Sequence, residues 1–317
     1  NMTDVSLPRS FGDRILDLLT RAVLAPVRAF RLQYLPLLMV YFAYGALGII
    51  AVADSFWVKK ELTLSPAALA QLGVWLTLPW AVKMVFGELV DTVPLMGSRR
   101  RGYVFLGASL IATGLILLAG AAGKWITFAP PEQLYIIAQI VTVIGVVLQD
   151  VVADAMSTEV VPRVSADGTP RPQAEIDQDL GMVQILGRLA LSFGALSVAG
   201  LAGFLANRLA YETVFLIGLA VPAISASGAL LVRLESSESR PTDWRILGGG
   251  LAFGALTVLI ALLQVPYAQE ITFLMSLAVI VTMLNHVTGD IDPNTRLKIF
   301  YAALIIFFFR ATPGVGE

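Results

Sequence analysis

The chain has no cysteine at all and a single histidine, His286. The first absence excludes disulfides, thiol catalysis and cysteine-ligated metals, and the second makes a histidine-rich metal site improbable. No metal and no cofactor are expected. Charge is scarce too: 14% of the 317 residues are Asp, Glu, Lys or Arg, and the formal net charge is −1. That balance points to no nucleic-acid partner. A phosphate-cradling loop is missing as well, because Gly248, Gly249 and Gly250 lack the strand and the lysine such a loop requires. Residues 1–32 hold five arginines, but three aspartates interrupt them and no short apolar core with a cleavage site follows, so a removable signal peptide is not expected.

What the chain has in abundance is apolar surface. Hydrophobic residues make up 57% of it and the mean hydropathy is +0.78, which a water-soluble domain of this length would not tolerate. The class is therefore an all-α polytopic membrane protein, with the lipid bilayer as its obligatory partner. A hydrophobic helix needs about 20 residues to cross the hydrocarbon layer. By that measure eight complete spans are expected, at Tyr34–Trp57, Pro66–Val90, Tyr103–Ala122, Leu134–Val161, Asp179–Leu205, Tyr211–Val232, Leu247–Val265 and Ile271–Thr288. A ninth begins near Leu297 and meets Pro313. Ser10–Phe30 has apolar residues at helical spacing with arginines between them, so it is expected to lie along the membrane surface.

Lys and Arg set the orientation. With the N-terminus inside, fifteen fall in cytoplasmic segments and four (Lys59, Lys60, Lys124 and Arg208) outside. This is a positive-inside distribution, so the N-terminus is expected in the cytoplasm, at an inner or plasma membrane. The other three, Lys83, Arg188 and Arg310, lie within spans. A charge at the bilayer centre costs from about 2.5 kcal/mol upward on insertion scales, so such residues usually face protein or water and have partners. The acids at depth are Asp54, Glu88, Asp150 and Asp154, with Asp91 and Glu159 nearer the cytoplasmic ends. Asp150 and Asp154 are four residues apart and share a helix face. A buried network is expected in which Lys83 and Arg188 offset these two aspartates, either as a structural lock or in contact with solute or protons.

The loop after the second span is the most informative stretch. Gly87 and Asp91 are one helical turn apart, and Gly97, Arg99, Arg100 and Arg101 follow. The glycine permits a close helix contact, and the carboxylate can pair with an arginine or a helix N-terminus. The pattern resembles the loop joining helices 2 and 3 of major facilitator superfamily transporters. It departs from it in one respect: five residues separate Asp91 from Gly97 where that pattern usually has two.

A narrower resemblance extends over roughly residues 34–313. Val82–Pro94 (VKMVFGELVDTVP) followed by Gly97–Tyr103 (GSRRRGY) is similar to the helix 2–3 signature of folate-biopterin transporters. Gln149–Met156 (QDVVADAM), continuing to Glu159, resembles that family's fourth helix. Gly181–Arg188 (GMVQILGR) resembles the opening of its fifth, and Arg310–Pro313 (RATP) the segment that starts its second half.

This resemblance implies a major facilitator-type fold in which the chain is the N-terminal portion of a longer protein. The parts would be a cytoplasmic segment (1–33), a six-helix bundle (34–233), a cytoplasmic linker (234–246), an inserted helix pair (247–288) and the first helix of an incomplete second bundle (297–317). A faint repeat between Leu32–Asp54 and Arg296–Arg310 supports the last part. The implied activity is secondary transport of a folate- or pterin-like or other small organic anion by alternating access, driven by an ion or solute gradient and open to proton coupling.

In that reading Lys83, Asp150, Asp154, Arg188, Asp54 and Arg310 are the candidates for solute or coupling-ion contact, and one of Asp150 and Asp154 could carry a coupling proton. Tyr41, Phe42 or Tyr44 would supply an aromatic wall. Gly87, Glu88, Asp91, Gly97, Arg99, Arg100 and Arg101 form the gating loop.

Two other functions compete. Asp150 and Asp154 could hold a diphosphate through magnesium in a prenyltransferase-like enzyme, with Asp290 and Asp292 as a poorly spaced second cluster. The chain could also be a non-transporting scaffold. Plainer roles are expected for several residues. The helix 5 glycines (Gly187, Gly194, Gly200, Gly203) and Gly248–Gly250 allow close packing, and Pro36, Pro79 and Pro222 kink their helices. Trp57, Trp125 and Trp244 anchor at the interface, residues 162–178 form a flexible loop, and His286 is a polar helix end.

Overall fold

The computed structural model describes residues 11–231, 241–263 and 265–311, which are helical almost throughout and contain no strand. The helices, in order, are α1 (Phe11–Leu19), α2 (Ala25–Arg28), α3 (Leu35–Ala46), α4 (Ala51–Glu61), α5 (Pro66–Ala81), α6 (Lys83–Thr92), α7 (Arg101–Ala122), α8 (Pro131–Glu159), α9 (Gln173–Arg208), α10 (Tyr211–Ile217), α11 (Ala220–Leu230), α12 (Trp244–Leu262), α13 (Ala268–Val287) and α14 (Pro293–Ala311). Among the described residues seven helical stretches are long and apolar enough to cross a membrane: Leu32–Glu61, Pro66–Thr92, Arg101–Ala122, Pro131–Glu159, Gln173–Arg208, Tyr211–Leu230 and Glu270–Val287. Trp244–Ile260, within α12, is apolar but shorter. The protein is an all-α polytopic membrane protein.

Breaks within the spans follow local chemistry. The first passes through a tighter 3-10 turn at Leu47–Ile50, between α3 and α4. The second is interrupted at Val82, three residues after Pro79, whose ring removes one helical hydrogen bond. The sixth is interrupted at Gly218 and Leu219, ahead of Pro222. Pro36 does not kink its helix, contrary to expectation. It occupies the first turn of α3, where its missing N–H costs nothing.

The described residues fall into two compact units, the first within Asn1–Pro79 and Leu89–Pro241, the second within Trp80–Glu88 and Thr242–Glu317. In the first unit, glycines decide which helices touch. A Cβ at Gly45 would overlap the Leu191 carbonyl oxygen, and one at Gly194 would overlap the Phe42 carbonyl oxygen, so α3 and α9 meet backbone to backbone. A second seam joins α7 and α8, where a Cβ at Gly145 would lie 2.7 Å from the Gly107 carbonyl oxygen. Gly187 also contributes to packing, but a Cβ at Gly200 or Gly203 would meet nothing within 4 Å.

Trp57 is not an interfacial anchor. It is 1% exposed and stands edge-on to the Tyr135 and Phe215 rings, at centroid distances of 5.9 and 5.7 Å. Its amphipathic ring is satisfied by aromatic neighbours instead of headgroups. Trp125 and Trp244 are exposed, as anchors should be, and the Trp125 indole donates to Glu212 at 2.7 Å.

In the second unit, Gly250 faces Val85, leaving no room for a Cβ, whereas Gly248 and Gly249 face open space. Asp292 accepts from the backbone N–H groups of Asn294 and Thr295 at 3.2 and 3.3 Å, which makes it the N-cap of α14. The expected loop 162–178 ends at Pro172, because residues 173–178 already belong to α9; what remains is ordered around Arg171, which donates to the Pro162 carbonyl and to Asp179, both at 2.8 Å.

Candidate functional site

Three polar clusters lie inside the first unit. The first is built on α8, one of whose faces carries Asp150 and Asp154 toward the Glu159 end. The Tyr41 hydroxyl, from α3, donates to Asp154 Oδ1 at 2.6 Å. Its ring lies against Gly187 of α9, where a Cβ would be 2.8 Å from Tyr41 Cε2. The glycine thus gives the tyrosine space to reach across to the aspartate. Asp150 is 8% exposed. Arg188 is exposed on the bundle. A turn away, Gln184 donates to Ser157 Oγ at 2.7 Å, tying α9 to α8 beside the cluster. Tyr41 and Asp154 therefore meet where α3, α8 and α9 converge, with Asp150 one turn along the same face of α8 and Arg188 next to Gly187 on α9. Of the expected aromatic wall, Tyr41 is buried inside the cluster and Phe42 stacks on Phe193 at 5.8 Å.

The second cluster is the loop ahead of α7. Leu95 and Ser98 exchange both backbone hydrogen bonds at 3.0 Å, and the two residues between them, Met96 and Gly97, have φ of 52° and 75°. Positive φ at both central positions is the I′ form of a tight turn, which explains the glycine at position 97. The turn aims Arg100 back under α6. Its Nε donates to Glu159 Oε1 and Oε2 at 3.1 and 2.9 Å, Nη2 to Asp91 Oδ1 at 3.0 Å, and Nη1 to the Val90 carbonyl at 3.0 Å. Nη2 also bonds Glu159. Burial works against the charged guanidinium, but the Glu159 hydrogen bonds and charge, and then Asp91, outweigh it and raise the Arg100 pKa. Arg99 donates to the Asp91 carbonyl at 3.1 Å, whereas Arg101 is exposed. Tyr103 completes the clasp by donating to the Val93 carbonyl at 2.7 Å.

The third cluster is in the half of the first span nearest Glu61. Asp54 accepts from Gln139 Nε2 at 3.0 Å and from the Tyr135 hydroxyl at 3.3 Å, both from α8. Separately, Gln149 and Ser225, both buried, bond each other at 3.2 Å, and Gln149 also donates to the Val104 carbonyl. The remaining candidates belong to the second unit. Lys83 opens α6 there, half-buried, and a Cβ at Gly87 would meet nothing within 4 Å. Glu88 is 2% exposed, and its Oε1 accepts the Asp243 backbone N–H at 2.6 Å. Asp243 in turn bonds His286 Nε2 at 3.0 Å, so the lone histidine is more than a polar helix end. The Arg310 side chain lies outside the described residues.

Sequence reasoning placed Glu159 at a helix end without assigning it to the loop, and it did not find Gln139, Tyr135, Gln184 or Asp243. The one available signal was the shared-face spacing of Tyr135 with Gln139.

The profile of the BT1 family matches residues 45–309, a stretch that includes every charged candidate except Arg310 and begins just after Tyr41, Phe42 and Tyr44. The chain is 32% identical over 212 residues to the folate-biopterin transporter of Synechocystis sp., covering 66% of this chain and 39% of that protein. It is 26% identical over 203 residues to the probable folate-biopterin transporter 4 of Arabidopsis thaliana, covering 64% of this chain and 38% of that one. Folate transporter 1 of Plasmodium falciparum is 33% identical over 63 residues, 20% of this chain and 12% of that protein. The chain thus matches about two-fifths of the length of the first two relatives. With 45–309 matched, the chain belongs to the BT1 family.

Proposed function

We propose that the protein is a secondary transporter that moves a folate- or pterin-like organic anion across the membrane by alternating access. The observation that carries this reading is the family match over residues 45–309, together with relatives named for folate and biopterin transport. The site chemistry supports it. Arg188 follows Gly187, which packs on the Tyr41 ring that bonds Asp154, and a cation on that stretch of span suits a carboxylated solute. Lys83 is the second cation proposed for solute contact, and Asp150 and Asp154 are the candidates for a coupling proton. The N-terminus is proposed to face the cytoplasm of an inner or plasma membrane, with residues 34–233 as the first transport bundle. The Arg100 clasp is proposed to hold the cytoplasmic end of that bundle in one geometry during gating. No catalytic step is assigned to the chain.

The test is uptake of labelled folate by the full-length protein in proteoliposomes. Arg188→Gln is expected to raise KM at least tenfold, and Tyr41→Phe to impair transport while leaving the protein folded. Wild-type vesicles that take up no folate or pterin under any imposed ion gradient would overturn the reading.

A further inference from the structure

The segment before the first span carries chemistry that the transport reading does not use. α1 exposes Phe11, Ile15, Leu18 and Leu19, with Phe11 at 81% and Leu18 at 67%. These residues recur three or four apart, so they form one apolar face. Arg14, Arg21 and Arg28 recur at seven-residue intervals and all three are exposed, with a wider π-helical turn at Thr20–Leu24 between α1 and α2. Four arginines (these three and Arg31) stand against two aspartates, Asp13 and Asp17, over residues 11–31. In the structure Asp17 is engaged by Arg21 at 3.1 Å.

Two further observations fix where this helix sits. α2 lies against α9 with Pro26 buried, so the segment is anchored to the bundle at its C-terminal end. Only Ala29–Arg31 separate α2 from Leu32, where the first span begins. A helix joined by one turn to a membrane span, and held at that end, stays at the bilayer surface. Its apolar face then has acyl chains to meet, while its arginines are at headgroup level.

We infer that Phe11–Arg28 is an in-plane binding element for anionic phospholipid, with Arg14, Arg21 and Arg28 contacting headgroup phosphates. Apolar burial alone would hold such a helix on any bilayer. The arginine series adds a preference for negative headgroups, about fivefold in partitioning for each arginine near the surface.

These 317 residues hold no cysteine, so a nitroxide placed on Leu18→Cys is the one label within them. The intact protein is reconstituted in nanodiscs of phosphatidylcholine alone or with phosphatidylglycerol, and label depth is read from its accessibility to oxygen and to a polar relaxant. The label is expected to move deeper with phosphatidylglycerol, and Arg14→Gln, Arg21→Gln and Arg28→Gln together are expected to abolish the difference. Lysine at the same three positions is expected to keep it. Arg21→Gln alone, an exposed change expected to cut the anionic preference about fivefold, keeps the test open if the triple variant does not fold. Equal depth in both lipids, a label in water in both, or an unchanged preference in the glutamine variants would overturn the inference.

Discussion

Replacing Arg100 is the sharpest test of the clasp. The Arg100 side chain is 5% exposed, and its partners Glu159 and Asp91 are 29% and 38% exposed. Breaking a fully buried ion pair costs about 3–5 kcal/mol, whereas exposed pairs are worth about 0.2–1 kcal/mol. Glu159, bonded through two guanidinium nitrogens and partly screened, should therefore couple to Arg100 by about 2 kcal/mol. Asp91, more than a third exposed and bonded once, should couple by about 0.5 kcal/mol. The Val90 carbonyl loses its donor as well, at about 1 kcal/mol. Arg100→Gln should then destabilise the protein by about 3.5 kcal/mol in total. The assay is a double-mutant cycle with Glu159→Gln and Asp91→Asn, followed by tryptophan fluorescence during graded unfolding in mixed micelles. A coupling to Glu159 below about 0.5 kcal/mol, or one smaller than that to Asp91, would refute the reasoning.

Two further outcomes are expected. Gly45→Ala or Gly194→Ala should destabilise by about 2 kcal/mol because each new methyl meets fixed backbone. Gly200→Ala, with nothing within 4 Å, should be neutral or stabilise by up to about 1 kcal/mol, and thermal unfolding of the three variants compares them directly. The third concerns acid. The hydrogen bond from His286 holds the Asp243 carboxyl below its ordinary value, so its contribution is complete above the unfolded carboxylate range near about pH 3.9 and is lost as pH falls through the lower folded value. The protection factors of amides at the start of α12, corrected for the acid-slowed intrinsic exchange, should therefore fall on acidification in the wild type, and Asp243→Asn should remove that dependence.

Much of the architecture could be read from hydrophobic runs, since a bilayer imposes its thickness on sequence. Tyr103–Ala122 was expected and Arg101–Ala122 is found; Leu134–Val161 was expected and Pro131–Glu159 is found. Where the two differ, hydropathy had measured the lipid slab and not the helix. α9 runs from Gln173, well before the apolar stretch at Asp179, because Gln, Glu and Asp continue a helix once it has left hydrocarbon. The pairings inside the site were less accessible. Arg99, Arg100 and Arg101 look equivalent as letters, and only the turn at Met96 and Gly97 determines which of them reaches Glu159, 59 positions away. Gln139 and Asp54 are likewise 85 apart, a separation that periodicity within one helix cannot report. Gly187 and Gly200 occupy the same helix, yet only the neighbouring Tyr41 ring makes the first irreplaceable.

The glycine seam between the first and fifth spans limits the motions open to the bundle. Side chains at an interface can swap rotamers and let helices shear past one another, but main chain in contact with main chain has nothing to exchange. Leu191 faces Gly45 and Phe42 faces Gly194, so the two spans move as one lever. Tyr41 and Gly187 ride on that lever, whereas Asp154 stands on the fourth span, so any rearrangement of the bundle has to fall on contacts that leave the lever, the Tyr41–Asp154 bond among them.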